Sequence, residues 1–156
     1  MPRRRKSKVS DYFKNLHKEE ITFECLGRDK PYQGKEDDFQ IATAKLIRLY
    51  DPFAFHVANE RKTKEGSSGE SIKSVASGAK LKRKGVLGGV SDWLSLLPRK
   101  DYHGLVIELK ANKNTLTESQ INFLNAKKKA GYAVFAIWSL DEFIRIIEWY
   151  FKKVEQ

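Results

Sequence analysis

The sequence predicts one α/β domain built on a mixed β-sheet with helices on both faces. Three observations carry this reading. The apolar pattern changes period along the chain, from helical spacing at 36–50 to short continuous runs at 104–110 and 132–138. Two capping-box patterns, Thr117-Glu118-Ser119-Gln120 and Ser139-Leu140-Asp141-Glu142, mark helix starts on either side of the second run. The resulting order of helix, three strands, helix, strand and helix shows no internal repeat. A chain of 156 residues suffices for one hydrophobic core but not two.

Each element has its own local cause. Residues 1–35 are polar and basic with scattered aromatics (Tyr12, Phe13, Phe23, Tyr32), and read as a basic N-terminal extension, with a short helix over Ser10–His17 capped by Ser10. The folded domain is expected over 36–156. From Glu36 to Tyr50, Phe39, Ile41, Ala44, Leu46, Ile47 and Tyr50 recur at helical spacing. Glu36, Asp37 and Asp38 occupy the first turn, where they suit the helix dipole. Asp51-Pro52 ends this helix, because the residue before proline is driven out of the helical region. Phe53–Ala58 reads as a short strand. The span 60–85 is a long connection rich in Gly, Ser and Lys, and connections of that length are commonly functional or unstructured. Within it, 70–78 is compatible with a helix.

The remainder is closely punctuated. Gly88-Gly89 is a turn leading through Ser91-Asp92 into a strand over Trp93–Leu97. Pro98-Arg99-Lys100-Asp101 is a hairpin connection into the strand Gly104–Lys110. Thr117 opens a helix that runs to Ala130 and stops at Gly131. Tyr132–Trp138 is a continuous apolar strand, and an amphipathic helix, Phe143–Phe151, follows the second capping box.

Composition narrows the function classes. The formal net charge of +10 is costly in self-repulsion and answers a polyanionic partner, nucleic acid first and an anionic membrane surface second. Cys25 is the only cysteine, which excludes an intrachain disulfide or a cysteine-rich zinc module. A reducing intracellular setting is the simplest fit. The basic start MPRRRKSK has no apolar stretch behind it and fails as a secretory signal, and no segment has the length of a membrane span.

The stretch Gly104-Leu105-Val106-Ile107-Glu108-Leu109-Lys110 carries the chemistry. Side chains alternate along a strand, so Val106, Glu108 and Lys110 share a face, with the acid and the lysine roughly 7 Å apart along the backbone. In isolation such a strand end is more often structural. Asp92, however, opens the preceding strand, and antiparallel neighbours joined by a short loop lie side by side. Asp92 and Glu108 therefore converge, and two carboxylates so placed repel unless a cation joins them or one is protonated. Hard oxygen ligands favour Mg²⁺ or Mn²⁺ over zinc. A lysine beside them can hold a phosphate or orient a water. His56 and His103 have no metal-ligand spacing and read as packing or hydrogen-bonding residues.

In order along the chain, Glu36, Phe55-His56-Val57-Ala58-Asn59-Glu60, Gly88-Gly89-Val90-Ser91-Asp92, Glu108-Leu109-Lys110, Ser119-Gln120 and Gly131-Tyr132 resemble the VRR-NUC (virus-type replication-repair nuclease) domain. This domain belongs to the restriction-endonuclease-like PD-(D/E)XK superfamily. The resemblance covers most of the chain from about Glu36 onward. It implies a restriction-endonuclease-like core of αβββαβ order plus a C-terminal helix, and metal-dependent cutting of branched DNA, Holliday junctions especially, by a homodimer. By position it implies Asp92, Glu108 and the backbone carbonyl of Leu109 as metal ligands, Lys110 as the catalytic lysine and Gln120 as a residue lining the site. The first-helix acid is taken as Glu36, four residues before Gln40 as in the acid-led first helix of the family, in competition with Asp37 and Asp38. Ser91 stands where the superfamily often has proline.

Asn59, Arg61, Lys62, Lys80, Lys82, Arg83 and Lys84 are the candidate DNA-binding residues, gripping backbone phosphates without reading bases. Phe143, Ile144, Ile146, Ile147, Trp149, Tyr150 and Phe151 give the last helix more apolar surface than one buried face needs, and nominate it as the dimer interface, with extra core contacts as the alternative use of the same residues. Such an enzyme belongs in the cytoplasm of a bacterium or a phage-infected host. Two alternatives stand beside this reading: a sequence-specific restriction-type endonuclease, and a non-catalytic DNA- or RNA-binding protein with a nuclease-like fold.

Overall fold

The structure, a computed structural model, describes residues 20–57 and 80–152. Among these residues the strands are β1 (Glu24–Leu26), β2 (Phe55–His56), β3 (Trp93–Ser95), β4 (Leu105–Leu109) and β5 (Ala133–Ile137). The helices are α1 (Glu36–Ile47), α2 (Glu118–Lys129) and α3 (Leu140–Phe151). The strands form one mixed sheet in the order β1-β5-β4-β3-β2. β3 pairs antiparallel with both β2 and β4, whereas β5 is parallel to β4 and to β1.

β4 and β5 are buried along their whole length, which is why both read as unbroken apolar runs. Their alternate residues feed two cores. Leu105, Ile107, Leu109, Phe135 and Ile137 face α1 and α3, where they meet Phe39, Ile47, Phe143, Ile147 and Tyr150. Val106, Val134, Ala136 and Trp138 face α2 and meet Leu124 and Phe23. The sheet is thus covered on both faces, as the sequence predicts.

Several boundaries move for identifiable reasons. α1 ends at Ile47 rather than Tyr50. Asp51 closes it: its amide donates to the Ile47 carbonyl (2.9 Å), and its carboxylate accepts from Phe53 N (2.9 Å) and Ser95 Oγ (2.5 Å). This turn leaves Phe53 89% exposed, so the strand expected from Phe53 shrinks to Phe55–His56. Ala58 lies outside the described residues. β3 stops at Ser95 rather than Leu97, because Leu97 N bonds back to Ser95 Oγ (3.3 Å) instead of extending the ladder. The β3–β4 connection turns on Lys100 and Asp101, both at positive φ, beside the Arg99–Tyr102 bridge. That is the backbone of a two-residue hairpin turn.

β1 has no counterpart in the sequence reading. Part of the span read as an extension, Glu24–Leu26, is a strand of the sheet, and Phe23 is buried beneath α2. The helices read from Ser10 and over 70–78 lie outside the described residues. The Thr117 capping box is present in full, with Thr117 Oγ1 accepting from Gln120 N (3.3 Å) and Gln120 Oε1 accepting from Thr117 N (2.9 Å). At Ser139 only half of the box exists. Ser139 Oγ accepts from Glu142 N (3.2 Å), while Glu142 pairs with Arg145.

α3 corrects the interface reading. Phe143, Ile146, Ile147, Tyr150 and Phe151 are all buried within the chain's own core. Ile144 is half-buried, and Trp149, 39% exposed, packs edge-on against Phe135 and Tyr102. The apolar excess of this helix goes into one wide core face.

Candidate active site

The register decides how the acids meet. Trp93 pairs with Ile107 across the β3–β4 ladder, so Asp92, one residue before, comes beside Glu108, one residue after. Asp92 Oδ2 accepts from Leu109 N at 2.7 Å, which fixes this carboxylate against the end of β4. Glu108 is 2% exposed and Lys110 8%. Although their backbones stand two residues apart, the long lysine side chain folds back, and Nζ lies 3.3 Å from Glu108 Oε1. The same oxygen accepts from Gln120 Nε2 at 2.5 Å. Glu108 Oε2 is buried without a partner.

The N-termini of α1 and α2 converge here from opposite faces of the sheet. They close a cleft of about 210 Å³ lined by Glu36, Asp37, Gln40, His56, Val90, Asp92, Glu108, Leu109, Lys110 and Gln120. α1 is held in place by Trp93 Nε1, which donates to Thr43 Oγ1 at 3.0 Å in the core. The Gly88-Gly89 turn packs on the start of α2. Gly89 has φ +79, and a β-carbon there would come within 2.7 Å of Ser119 Oγ.

Electrostatics make this an unsettled site for bare carboxylates. Burial, reinforced by the neighbouring Asp92, pushes Glu108 from 4.5 up to about 8 despite the Lys110 ammonium. Burial also raises Asp92, against the lowering effect of the Leu109 amide. Glu36 adds to the strain on both acids. Asp37 shares the cleft, whereas Asp38 does not line it.

The sequence reading thus converges on one place. Glu36, Asp92, Glu108, Leu109, Lys110 and Gln120 all line the cleft. Lys80, Lys82, Arg83 and Lys84 are exposed on and just after a helical turn at 80–83, ahead of the Gly88-Gly89 turn. Asn59, Arg61 and Lys62 lie outside the described residues. Two further polar residues line the cleft to which the sequence assigns no role in the site. His56 lines it with Nδ1 2.9 Å from the Asp92 carbonyl. Gln40 sits one helical turn beyond Glu36, and that i, i+4 spacing was the available signal. His103, by contrast, packs against Gly131 and Tyr132, away from the cleft.

A divalent ion of hard character fits these residues. Asp92 and Glu108 offer oxygen ligands that repel one another when bare, and the orphaned Glu108 Oε2 is a buried acceptor in want of a cation. Among the described residues, no group of three or more His, Cys, Asp or Glu side chains is gathered tightly enough to cage an ion.

No protein-family model matches the sequence, and no curated protein is significantly similar to it. Among solved structures, the chain is similar to a VRR_NUC domain protein, with a TM-score of 0.57 and 24% sequence identity over 76% of this chain and 89% of the other. The fold is therefore the restriction-endonuclease-like α/β fold, of the form found in that VRR_NUC domain protein. Among the described residues, no helix is long and apolar enough to cross a membrane.

Proposed function

We propose that this protein is a VRR-NUC-type, metal-dependent endonuclease that hydrolyses DNA phosphodiesters in branched DNA, four-way junctions in particular, as a homodimer inside the cell. The observation that carries the reading is the half-buried Asp92 beside the buried Glu108, with Lys110 against the pair and one Glu108 oxygen left without a partner.

Asp92, Glu108 and the Leu109 carbonyl would hold Mg²⁺ or Mn²⁺, with Glu36 contributing from the rim. The bound ion supplies polarisation of a phosphoryl oxygen and a more acidic water. Gln120 holds Glu108 Oε1 and so leaves Oε2 as the free ligand atom. Lys110 occupies the same face, where its ammonium can stabilise the attacked phosphate and orient the attacking water. The N-termini of α1 and α2 lie at this end of the sheet, where the helix dipoles favour a phosphate. Lys80, Lys82, Arg83 and Lys84, together with Asn59, Arg61 and Lys62, grip the DNA backbone, which suits recognition of shape over sequence. Symmetric cutting of a four-way junction needs two such sites related by a two-fold axis.

The test is a cleavage panel of four-way junction, flap and linear duplex DNA, with and without Mg²⁺ or Mn²⁺, using wild type and Glu108→Ala. Junction cleavage that requires the metal and is lost in the variant is expected. Identical behaviour of the two proteins on every substrate would leave only a non-catalytic binding role. Sedimentation showing monomer alone at micromolar concentration would remove the homodimer.

A further inference from the structure

Gln40 is the cleft residue for which the metal chemistry has no use. It projects from α1 one turn beyond Glu36, and its Nε2 is buried with no hydrogen-bond partner. The other donors named in the cleft each have at least one partner in the fold. Gln120 Nε2 and Lys110 Nζ are both held by Glu108 Oε1, and Leu109 N by Asp92. The His56 ring nitrogen Nδ1 is occupied by the Asp92 carbonyl. A buried amide donor left unsatisfied is destabilising, and in a folded protein it points to an absent partner.

The chemistry of that partner follows from the surroundings. Glu36, Asp37, Asp92 and Glu108 line the same cleft, so a cationic side chain at position 40 would be captured by them. A neutral amide leaves the carboxylates free for a cation yet still presents hydrogen to an oxygen-rich anion. We infer that Gln40 is a substrate-binding residue whose Nε2–H donates to a non-bridging oxygen of the phosphodiester bound in the cleft. This rests on the nuclease reading and adds to it a contact from the α1 side, opposite Gln120.

Gln40→Met tests the assignment, because it keeps the length and helix preference of the side chain and removes the donor. Three quantities are measured beside wild type: single-turnover DNA cleavage, the Mg²⁺ concentration for half-maximal rate, and the melting temperature of the metal-free protein. Loss of a hydrogen bond to a charged oxygen slows cleavage roughly ten- to a hundredfold, with half-saturating Mg²⁺ unchanged. Removing an unsatisfied buried donor raises the melting temperature by about two to four degrees. A purely structural glutamine would give a lower melting temperature, and that result overturns the assignment. So does cleavage equal to wild type, or a rate restored by excess Mg²⁺, which would place Gln40 on the ion's water shell. If wild type itself cuts no DNA with either metal, the nuclease reading falls and this contact falls with it. An active wild type with an indistinguishable variant removes Gln40 alone.

Discussion

Asp92 Oδ2 accepts a 2.7 Å hydrogen bond from Leu109 N, so the carboxylate at the head of one strand is fastened to the backbone beside the acid of the next. This bond converts a strand register into a fixed spacing between two charges. Asp92 is half-held by β4 before any ligand arrives, whereas Glu108 retains a buried oxygen with nothing to accept.

Glu108→Gln separates chemistry from stability. The amide has the same shape and none of the repulsion from Asp92, and Glu108 itself is driven toward its neutral form by burial. Cleavage is expected to fall by more than about a hundredfold, the scale of losing a metal ligand's charge at the reacting phosphate. The metal-free melting temperature is expected to hold or rise. A variant that melts lower while cutting normally contradicts both halves.

The raised value of Glu108 fixes the sign of a pH effect. Its group titrates at 4.5 when unperturbed and at about 8 in the fold. Between those values the folded state binds more protons than the unfolded state, so stability falls as pH rises through this window. Metal-free protein should therefore unfold at lower urea at pH 8 than at pH 5. Because Mg²⁺ competes with that proton, its stabilising effect should be larger at pH 8 than at pH 6. Urea midpoints that are flat with pH in the metal-free protein would count against a buried, proton-holding Glu108.

Thr117 and Gln120 share one capping box but differ in reach. Thr117→Ala removes a helix cap and should cost about 1 kcal/mol of stability with cleavage nearly unchanged. Gln120→Leu removes the reciprocal bond and also leaves Glu108 Oε1 held by Lys110 alone, so stability and rate should fall together, the rate by roughly tenfold. Chemical denaturation and single-turnover kinetics on the two variants check the split.

Two adjacent glycines give a control within one turn. Gly89→Ala meets both a positive φ and Ser119, and should destabilise by about 2 kcal/mol or more. Gly88 has open space around its missing side chain, and Gly88→Ala should cost well under 1 kcal/mol. Equal effects in thermal melts would mean that the turn does not pack on α2.

Much of this was legible in the residues because the underlying physics is local. The alternation of β4 put Glu108 and Lys110 on one face, the hairpin fixed Asp92 beside them, and Thr117 with Gln120 announced α2. β1 was invisible, since three residues with partial exposure carry no periodic pattern, and their strand character comes from pairing with distant β5. The surplus apolar residues of α3 suggested an interface because sequence shows how much apolar surface a helix has, but not how wide a core receives it. Gln40 served in the sequence only to mark Glu36, four residues before it, and had no role of its own. Its buried, unpartnered donor shows only once the side chain is placed in the cleft.

The pairing of β1 with β5 sets Glu24 opposite Phe135 and Leu26 opposite Ile137. An edge strand made early is joined to a neighbour made late, so a chain emerging from the ribosome assembles α1 and the β3–β4 hairpin well before β1 has a partner. Closing so long a loop is entropically slow, and topologies dominated by distant pairings fold slowly. Docking of β1 is thus expected among the last events of folding, after the elements that carry Asp92 and Glu108 are already together.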